Sequence, residues 1–392
     1  MKKLIFAAVL GTTLTALPAP VLAAGMDAWG HEAAHATGDN YNPGETKLTP
    51  AAVPNVRKHW SVPLAAAKCT NPSVPLITGN RLVTASAYRV SGYDAITGKL
   101  KWQTADAGRR DFTLAAIVGD TLVAHYRECH SGKAFLTALS IGTGKALYTR
   151  RIAAPLYDLL VDRGIVVGTI WDTAISKYVL RAYRISDGAP VWGRDVTMTG
   201  RPVSARGRIL AFGDDEPGAA FDITTGKRLW SLGRGCHSPI GASPDGTRFY
   251  LNCNNDEGIE VVDAATGKTT AHFPSYGYLF GFATDGRRVY VGTLSEPAAV
   301  VALDAVTGKK LWSRTYAESQ PVSFTTAGGV VYGWRGDGRP VAALEAATGK
   351  VLKLDASTSA LATAPQIAQG HLYGIAGTKA APRSLVTAWS VG

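Results

Sequence analysis

The stretch Tyr93-Asp94-Ala95-Ile96-Thr97-Gly98-Lys99-Leu100-Lys101-Trp102 decides the fold, because variants of it recur along the chain. Each copy is marked by its turn glycine, at Gly98, Gly144, Gly188, Gly226, Gly267, Gly308 and Gly349. Successive glycines are 46, 44, 38, 41, 41 and 41 residues apart. A self-similar unit of this length indicates a propeller or a solenoid rather than one irregular core.

The residues around each turn glycine predict four strands per unit. Apolar and β-branched stretches flank the Thr-Gly turn, where a hairpin needs a residue that tolerates positive φ. A second glycine turn precedes each copy, as in Ile77-Thr78-Gly79-Asn80-Arg81, and eight such turns occur. One unit is therefore predicted to be an antiparallel blade of strands A to D, with an A–B turn and a Thr-Gly C–D turn.

The tryptophan four residues after the turn glycine, as Trp102 follows Gly98, is predicted to lie on the outer strand D. A large flat ring in this place would be buried against the neighbouring blade. Two copies depart from the pattern, since Ala271 and Lys353 stand at the tryptophan position. We expect other residues to make the contacts between blades there.

The ends of the chain predict how the ring closes. Eight A–B turns stand against seven Thr-Gly copies, and residues 361–391 supply only three strands. Residues 56–62 read as the missing strand D, with Trp60 at the docking position. The prediction is an all-β, eight-bladed β-propeller of four-stranded antiparallel blades, closed by N- and C-terminal strands in one blade.

The N-terminus predicts export. Residues 1–23 read as a secretory signal peptide, with Lys2 and Lys3 before an apolar stretch and Val21-Leu22-Ala23 at the cleavage site. An uncleaved anchor is the alternative. Residues 24–53 are then a leader segment and 54–392 the propeller. We expect a secreted or extracytoplasmic protein, extracellular or periplasmic, with no transmembrane segment after residue 23.

The charge of the chain limits the kinds of partner that we expect. The formal net charge is +11, and removal of Lys2 and Lys3 leaves +9, spread over the turns. Dispersed positive charge favours solubility and attraction to acidic envelope polymers. Because no basic stripe occurs in this exported chain, nucleic acid is not a predicted partner. We expect a monomer.

The chain has four cysteines, which in an exported protein indicate two disulfides with three connectivities: Cys69, Cys129, Cys236 and Cys253. D–A and B–C loops emerge on one face of a propeller. Cys236 in a D–A loop is predicted to pair with Cys253 at the B–C end of the same blade, which leaves Cys69 for Cys129. The alternative is a zinc site, since His130 and His237 follow two of the cysteines.

The repeat, together with an opening segment of residues 42–53 followed by Trp60, resembles the β-propellers of the pyrroloquinoline-quinone (PQQ) dehydrogenases and their non-enzymatic relatives. In the dehydrogenases a tryptophan and a ring of two adjacent cysteines sandwich the quinone beside calcium and a catalytic Asp. This chain has no adjacent cysteines and no Cys-x-x-Cys-His for a haem. It resembles more closely the shorter scaffold members, such as the BamB-type outer-membrane assembly factor, although it lacks their lipoprotein cysteine.

His31-Glu32-Ala33-Ala34-His35 matches a zinc-protease signature. That chemistry needs both histidines on one helix face and the glutamate beside a zinc-bound water. Gly30, Gly38 and Pro43 crowd the stretch, so we predict a coincidence and no metal site. If residues 26–40 are only a leader, their deletion should cost little stability.

The face that bears the D–A and B–C loops is the predicted binding face, because exposed Trp, Tyr and Arg carry much of the binding energy at interfaces. The alternative is that several of its side chains only pack against neighbouring loops. The predicted binding residues are Arg109, Arg110, Tyr126, Arg127, Trp171, Asp172, Arg201, His237, Asn254, Tyr276, Tyr278, Glu318, Gln320, Trp334 and Arg335.

No catalytic residue is predicted. The expected function is that of a secreted scaffold without cofactor or intrinsic catalysis, which binds a protein or envelope ligand. The alternative is a divergent PQQ-dependent alcohol or sugar dehydrogenase that stacks the quinone on Trp171 or Trp334 with a cation. A polysaccharide-cleaving propeller would instead carry two carboxylates facing each other across the axis. Convergent charges at the axis would favour an enzyme or cofactor site, and an apolar plug would favour a scaffold.

Overall fold

A computed structural model describes residues 28–65, 72–105, 110–195, 201–212, 217–233, 236–253, 258–277, 279–293, 298–316, 321–336, 338–378, 381 and 383–392. The predicted signal peptide lies outside these residues and stays a prediction. Among the residues described, no helix has the length and apolar character that a membrane span requires.

The described chain is built of strands and two short 3-10 helices, Val53–Asn55 and Ala356–Ala360. Two strands precede the first blade: β1 (Tyr41–Asn42) and β2 (Val56–Pro63). Blades 1 and 2 comprise β3 (Leu76–Thr78), β4 (Arg81–Ser86), β5 (Arg89–Asp94), β6 (Leu100–Gln103), β7 (Arg110–Val118), β8 (Thr121–Glu128), β9 (Ala134–Ser140) and β10 (Ala146–Ile152). Blades 3 and 4 comprise β11 (Tyr157–Asp162), β12 (Ile165–Asp172), β13 (Lys177–Arg184), β14 (Pro190–Arg194), β15 (Val203–Ala205), β16 (Arg208–Ala211), β17 (Ala219–Asp222) and β18 (Arg228–Ser231).

Blades 5 and 6 comprise β19 (Cys236–Ala242), β20 (Arg248–Cys253), β21 (Ile259–Asp263), β22 (Thr269–Phe273), β23 (Leu279–Thr284), β24 (Arg288–Thr293), β25 (Ala299–Asp304) and β26 (Lys310–Thr315). Blades 7 and 8 contain β27 (Ser323–Ala327), β28 (Val330–Trp334), β29 (Ala342–Glu345), β30 (Val351–Leu352), β31 (Gln366–Ala368), β32 (His371–Ala376) and β33 (Leu385–Val391).

The strands form eight sheets, one per blade, and the pairings confirm the predicted propeller. Blade 8 has the order β2-β33-β32-β31, so its outer strand comes from the N-terminal side of the chain. Val56 pairs with Val391 and Pro63 with Leu385, while Trp60 lies opposite Ala388. The ring is therefore closed by both chain ends in one blade, as the sequence predicts.

The repeated tryptophans pack on the repeated glycines of the next blade. The Trp312 indole nitrogen donates to the carbonyl of Ala346 at 3.0 Å, and its ring lies directly over Gly349. The same contact recurs for Trp60 on Gly98, Trp102 on Gly144, Trp192 on Gly226 and Trp230 on Gly267. The predicted docking of the tryptophan is confirmed.

In the copy that has Ala271 at the tryptophan position, another residue makes the contact with the turn glycine of the next blade. Phe273, two residues farther along the same strand, is 1% exposed and places its ring against Gly308 of the next blade. A ring on the turn glycine is thus retained while its position in the sequence shifts.

The aspartate of the repeat holds the C–D turn together. The carboxylate of Asp304 accepts hydrogen bonds from the backbone N–H and the hydroxyl of Thr307, both at 2.8 Å. These bonds lower the pKa of Asp304. Asp94, Asp222 and Asp263 make the same pair of bonds, which explains the spacing Asp-x-x-Thr-Gly.

Residues 29–42, which we call the strap, run inside the axial channel rather than outside the ring. Trp29 exchanges two backbone hydrogen bonds with Ile77 of blade 1, at 2.8 and 2.9 Å. Strap carbonyls then accept bonds from the inner strands of blades 2, 4, 5, 6 and 7, through the N–H groups of Ile117, Ser204, Ala242, Thr284 and Thr326. Side chains reach the two remaining blades, from His31 to the carbonyl of Val161 and from Asn42 to that of Ile367, both at 2.8 Å.

The burial of the strap bears on the prediction that deletion of residues 26–40 costs little stability if they are only a leader. Trp29, Ala34, Asp39 and Asn42 are each 1% exposed, and β1 adds to β27 as a parallel strand. Burial of a side chain such as Trp29 stabilises a fold by about 1.5–3 kcal/mol. Removal of residues 26–40 would therefore take away contacts with the inner strands of blades 1 to 7, and Asn42 would still reach blade 8.

Candidate functional site

The strap closes one end of the axial channel. Its partners lie at the ends of the inner strands next to the A–B turns, for example Ile77 before Gly79 and Thr284 before Gly286. In an antiparallel blade the B–C loops and the D–A connections lie at the opposite face. The open end of the channel is thus the predicted binding face.

The open end is a polar funnel that surrounds Glu32 of the strap. A cavity of about 430 Å³ has Trp29, Glu32 and Asn40 in its floor and Arg201, Trp334 and Arg383 in its walls. A second cavity of about 280 Å³ joins Glu32 to Asp158 and Arg201. A third, of about 330 Å³, joins Glu32 to Asp111 and Arg127. We call these three cavities the funnel.

Charges of both signs line the funnel. Arg201 forms an ion pair with Glu32, and the Nε of Arg127 lies 3.2 Å from the Oδ2 of Asp111. Pairs as exposed as these stabilise a fold by about 0–1 kcal/mol, so they are free to exchange for contacts with a ligand. Asp158 has a left-handed backbone, with φ +49°. Burial raises the pKa of its carboxyl, and this effect is larger than the opposite effect of the positive charge of Arg201.

Three of the predicted binding residues line the funnel: Arg127, Arg201 and Trp334. Arg110 and Tyr126 instead line a separate groove of about 350 Å³ on blades 1 and 2. The guanidinium of Arg110 lies 4.7 Å from the centre of the Tyr126 ring. Tyr126 itself is 3% exposed, so it serves packing more than contact with a ligand.

Several other predicted binding residues contact their neighbours. Trp171 is 42% exposed, and its ring meets that of Tyr178 edge-on, with ring centres 5.0 Å apart. Asp172 lies 3.6 Å from the guanidinium of Arg181, Tyr276 packs against the core of blades 5 and 6, and Arg335 lies over the Tyr316 ring. Outside the described residues are Arg109, Asn254, Tyr278, Glu318, Gln320 and the side chain of His237.

Four charged residues of the funnel are not among the predicted binding residues: Glu32, Asp111, Asp158 and Arg383. In the sequence, Glu32 belongs to the protease-like motif, and its segment has neither a strand pattern nor a repeat. Asp111 directly follows Arg110, which is a predicted binding residue. This adjacency is the one feature of the sequence that indicates a place for Asp111 on the binding face.

The protease-like motif does not form the arrangement that zinc hydrolysis requires. Residues 31–35 are turns and isolated bridges rather than a helix. His31 contacts the carbonyl of Val161, and burial lowers its pKa. His35 lies 3.0 Å from the carboxylate of Asp39; burial lowers the pKa of His35, but the hydrogen bond and charge of Asp39 leave it raised overall. The two histidines thus face different partners.

Two of the described cysteines are placed for a disulfide. Cys236 and Cys253 lie directly opposite each other in β19 and β20, a separation that suits the geometry of a disulfide. Cys129 and Cys253 are both disulfide-bonded. Cys69 lies outside the described residues, so the pairings Cys236–Cys253 and Cys69–Cys129 stay predictions.

The described residues do not fit PQQ with calcium. Trp171 is not part of the funnel wall, and its ring meets that of Tyr178 edge-on. Trp334 lines the funnel, but the chain has no adjacent cysteines to form the other side of a quinone sandwich. Within the described ranges, no group of three or more His, Cys, Asp or Glu side chains is placed to hold a metal ion. We therefore derive no step through a quinone.

The chain belongs to a family of β-propellers with PQQ-like repeats. The profile of the family described as outer membrane protein assembly factor BamB matches residues 54–159, 163–274, 255–353 and 300–381, which is most of the chain. No curated protein sequence matches this chain.

Solved structures share the fold at low identity. BamB from Moraxella catarrhalis is 21% identical with a TM-score of 0.59, over 86% of this chain and 97% of that one. The computationally designed protein Ika8 is 17% identical with a TM-score of 0.64, over 84% and 98%. A quinohemoprotein alcohol dehydrogenase from Pseudomonas putida HK5 is 13% identical with a TM-score of 0.50, over 94% and 81%. Identities this low bear on the fold alone.

Proposed function

We propose that this protein is an exported scaffold that binds a protein or another envelope ligand through the funnel, without catalysis. The carrying observation is that the strap closes one end of the channel while Arg201, Trp334 and Arg383 surround the other end. A concave surface with an aromatic side chain and exchangeable ion pairs is typical of a binding face. The family description, an outer-membrane assembly factor, supports a protein partner in the envelope.

The charges of the funnel fit the binding of a ligand. Glu32 and Asp158 line one cavity with Arg201 beside them, and the exposed ion pair between Glu32 and Arg201 can exchange for contacts with a ligand. A polysaccharide-cleaving enzyme is the alternative, and it would use one carboxylate as acid and the other as base or nucleophile at the scissile bond.

Site-specific photo-crosslinking in the producing cells tests the proposal. A photoreactive residue is placed at Trp334 in the funnel wall and, as the matched control, at Val306, which is 63% exposed in a C–D turn on the other face. We expect a discrete adduct from position 334 and none from position 306. Equal labelling of the two positions, or none at position 334 in repeated trials, would contradict the proposal.

A further inference from the structure

The inner strands of the blades have backbone groups without a partner in their own sheet, and the strap forms hydrogen bonds with them. Each blade turns the edge of its strand A toward the axis, where backbone N–H and C=O groups lack a neighbouring strand of their own sheet. The strap accepts hydrogen bonds from the N–H groups of six inner strands at 2.8 or 2.9 Å, those of blades 1, 2, 4, 5, 6 and 7. Binding of an extended segment along a sheet edge is an established mode of peptide recognition.

The fit between strap and channel is close. Gly38 has φ +63°, and a Cβ at Gly241 in blade 5 would lie 3.1 Å from the Gly38 carbonyl oxygen. The strap also has internal order, since the carboxylate of Asp39 accepts from the backbone N–H of Tyr41 at 3.2 Å. The backbone of the strap is therefore fixed by close contacts, as the backbone of a specifically bound peptide is.

From these contacts we infer that the closed end of the channel is a peptide-binding site, and that the strap is its ligand in cis. The site takes an extended peptide, anchored by Trp29 at one end and by the Asn42 amide at the other. The contacts themselves hold the strap, so the covalent link to β2 is not needed to keep it in place. The inference concerns the contacts of the strap with the inner strands and does not rest on the proposed function, although Trp29 also lines the floor of the funnel.

Cleavage of the folded full-length protein tests this inference. A recognition sequence for a specific protease is inserted after Ala51, an exposed turn residue between the strap and β2. After cutting, we expect the N-terminal peptide to co-elute with the propeller in size-exclusion chromatography and mass spectrometry. A peptide that separates from the propeller, or a propeller that aggregates on cutting, would show that the covalent link is required and would overturn the inference.

Exchange measures the specificity of the site. A fluorescent peptide of residues 28–51 should enter the cut protein but not the uncut protein. In competition, the Asn42→Ala peptide should bind up to about tenfold more weakly, since it lacks one hydrogen bond to blade 8. The Thr46→Ala peptide is the matched control: the Thr46 side chain is exposed, so the affinity should change by about twofold or less. Equal competition by a scrambled peptide would refute a specific site.

Discussion

The packing of tryptophan on glycine between blades can be tested with two alanine substitutions that share one backbone penalty. Gly349 has φ +70°, and a Cβ there would lie 2.7 Å from Cδ2 and 3.2 Å from Cγ of Trp312. Gly119, in the A–B turn of blade 2, has φ +57° and nothing within 4 Å of its Cβ position. Both alanines must adopt a left-handed backbone, which costs about 1–2 kcal/mol.

Gly349→Ala should cost about 1–3 kcal/mol more than Gly119→Ala, because the methyl group overpacks the interface between blades. The Cγ atom of Trp312 lies close to its own backbone, so the ring cannot move aside without shifting β26. The measurement is the free energy of unfolding in urea, followed by tryptophan fluorescence.

Adding Trp312→Ala to the Gly349→Ala variant separates the ring contact from the backbone penalty. The methyl group introduced at position 349 meets no ring in the double variant, so the two substitutions should cost less together than the sum of their separate effects. If Gly349→Ala and Gly119→Ala cost the same, or if the two substitutions are additive, the ring does not select glycine at this turn.

Two more predictions concern ring closure and pH. Deletion of residues 54–62 removes most of β2 and exposes the edge of β33, so we expect aggregation in size-exclusion chromatography and a large loss of melting temperature. His125 is 3% exposed, its Nε2 accepts from the backbone N–H of Leu156 at 3.3 Å, and burial, with Arg127 nearby, lowers its pKa to about 4. The unfolded chain then takes up the proton first, so the parent should lose about 2 kcal/mol of stability between pH 7.5 and 5 that His125→Gln does not lose. A deletion variant that melts like the parent, or a His125→Gln variant with an unchanged pH dependence, would contradict the respective prediction.

The propeller could be predicted from the sequence because its signals repeat. Trp312 and Gly349 are one instance of a contact that recurs around the ring, and each recurrence strengthens the prediction of the others. Phe273 shows the limit of this reasoning, since a pattern fixed to one position cannot follow a ring that moves two residues along its strand.

The funnel could be predicted only in part, because the side-chain directions of residues in loops and at the ends of strands depend on local backbone conformation. Arg201 and Trp334 reach the funnel, but Trp171 turns to Tyr178 instead. The path of the strap cannot be predicted from the sequence for a different reason. Most of its partners are backbone groups of the inner strands, and contacts with backbone groups leave little trace in the choice of side chains.

The strap also links the two ends of the channel. It fills the closed end, and its residues Trp29, Glu32 and Asn40 form the floor of the funnel at the open end. The shape of the binding face therefore depends on a segment that is not part of any repeat, which means that relatives with the same blades and another strap would present another floor. The two roles can be separated within the strap. The Asn42 amide donates to the inner strand of blade 8, whereas the Glu32 carboxylate points to Arg201 in the funnel, so substitution of Asn42 should weaken retention of the strap while substitution of Glu32 should alter binding at the funnel.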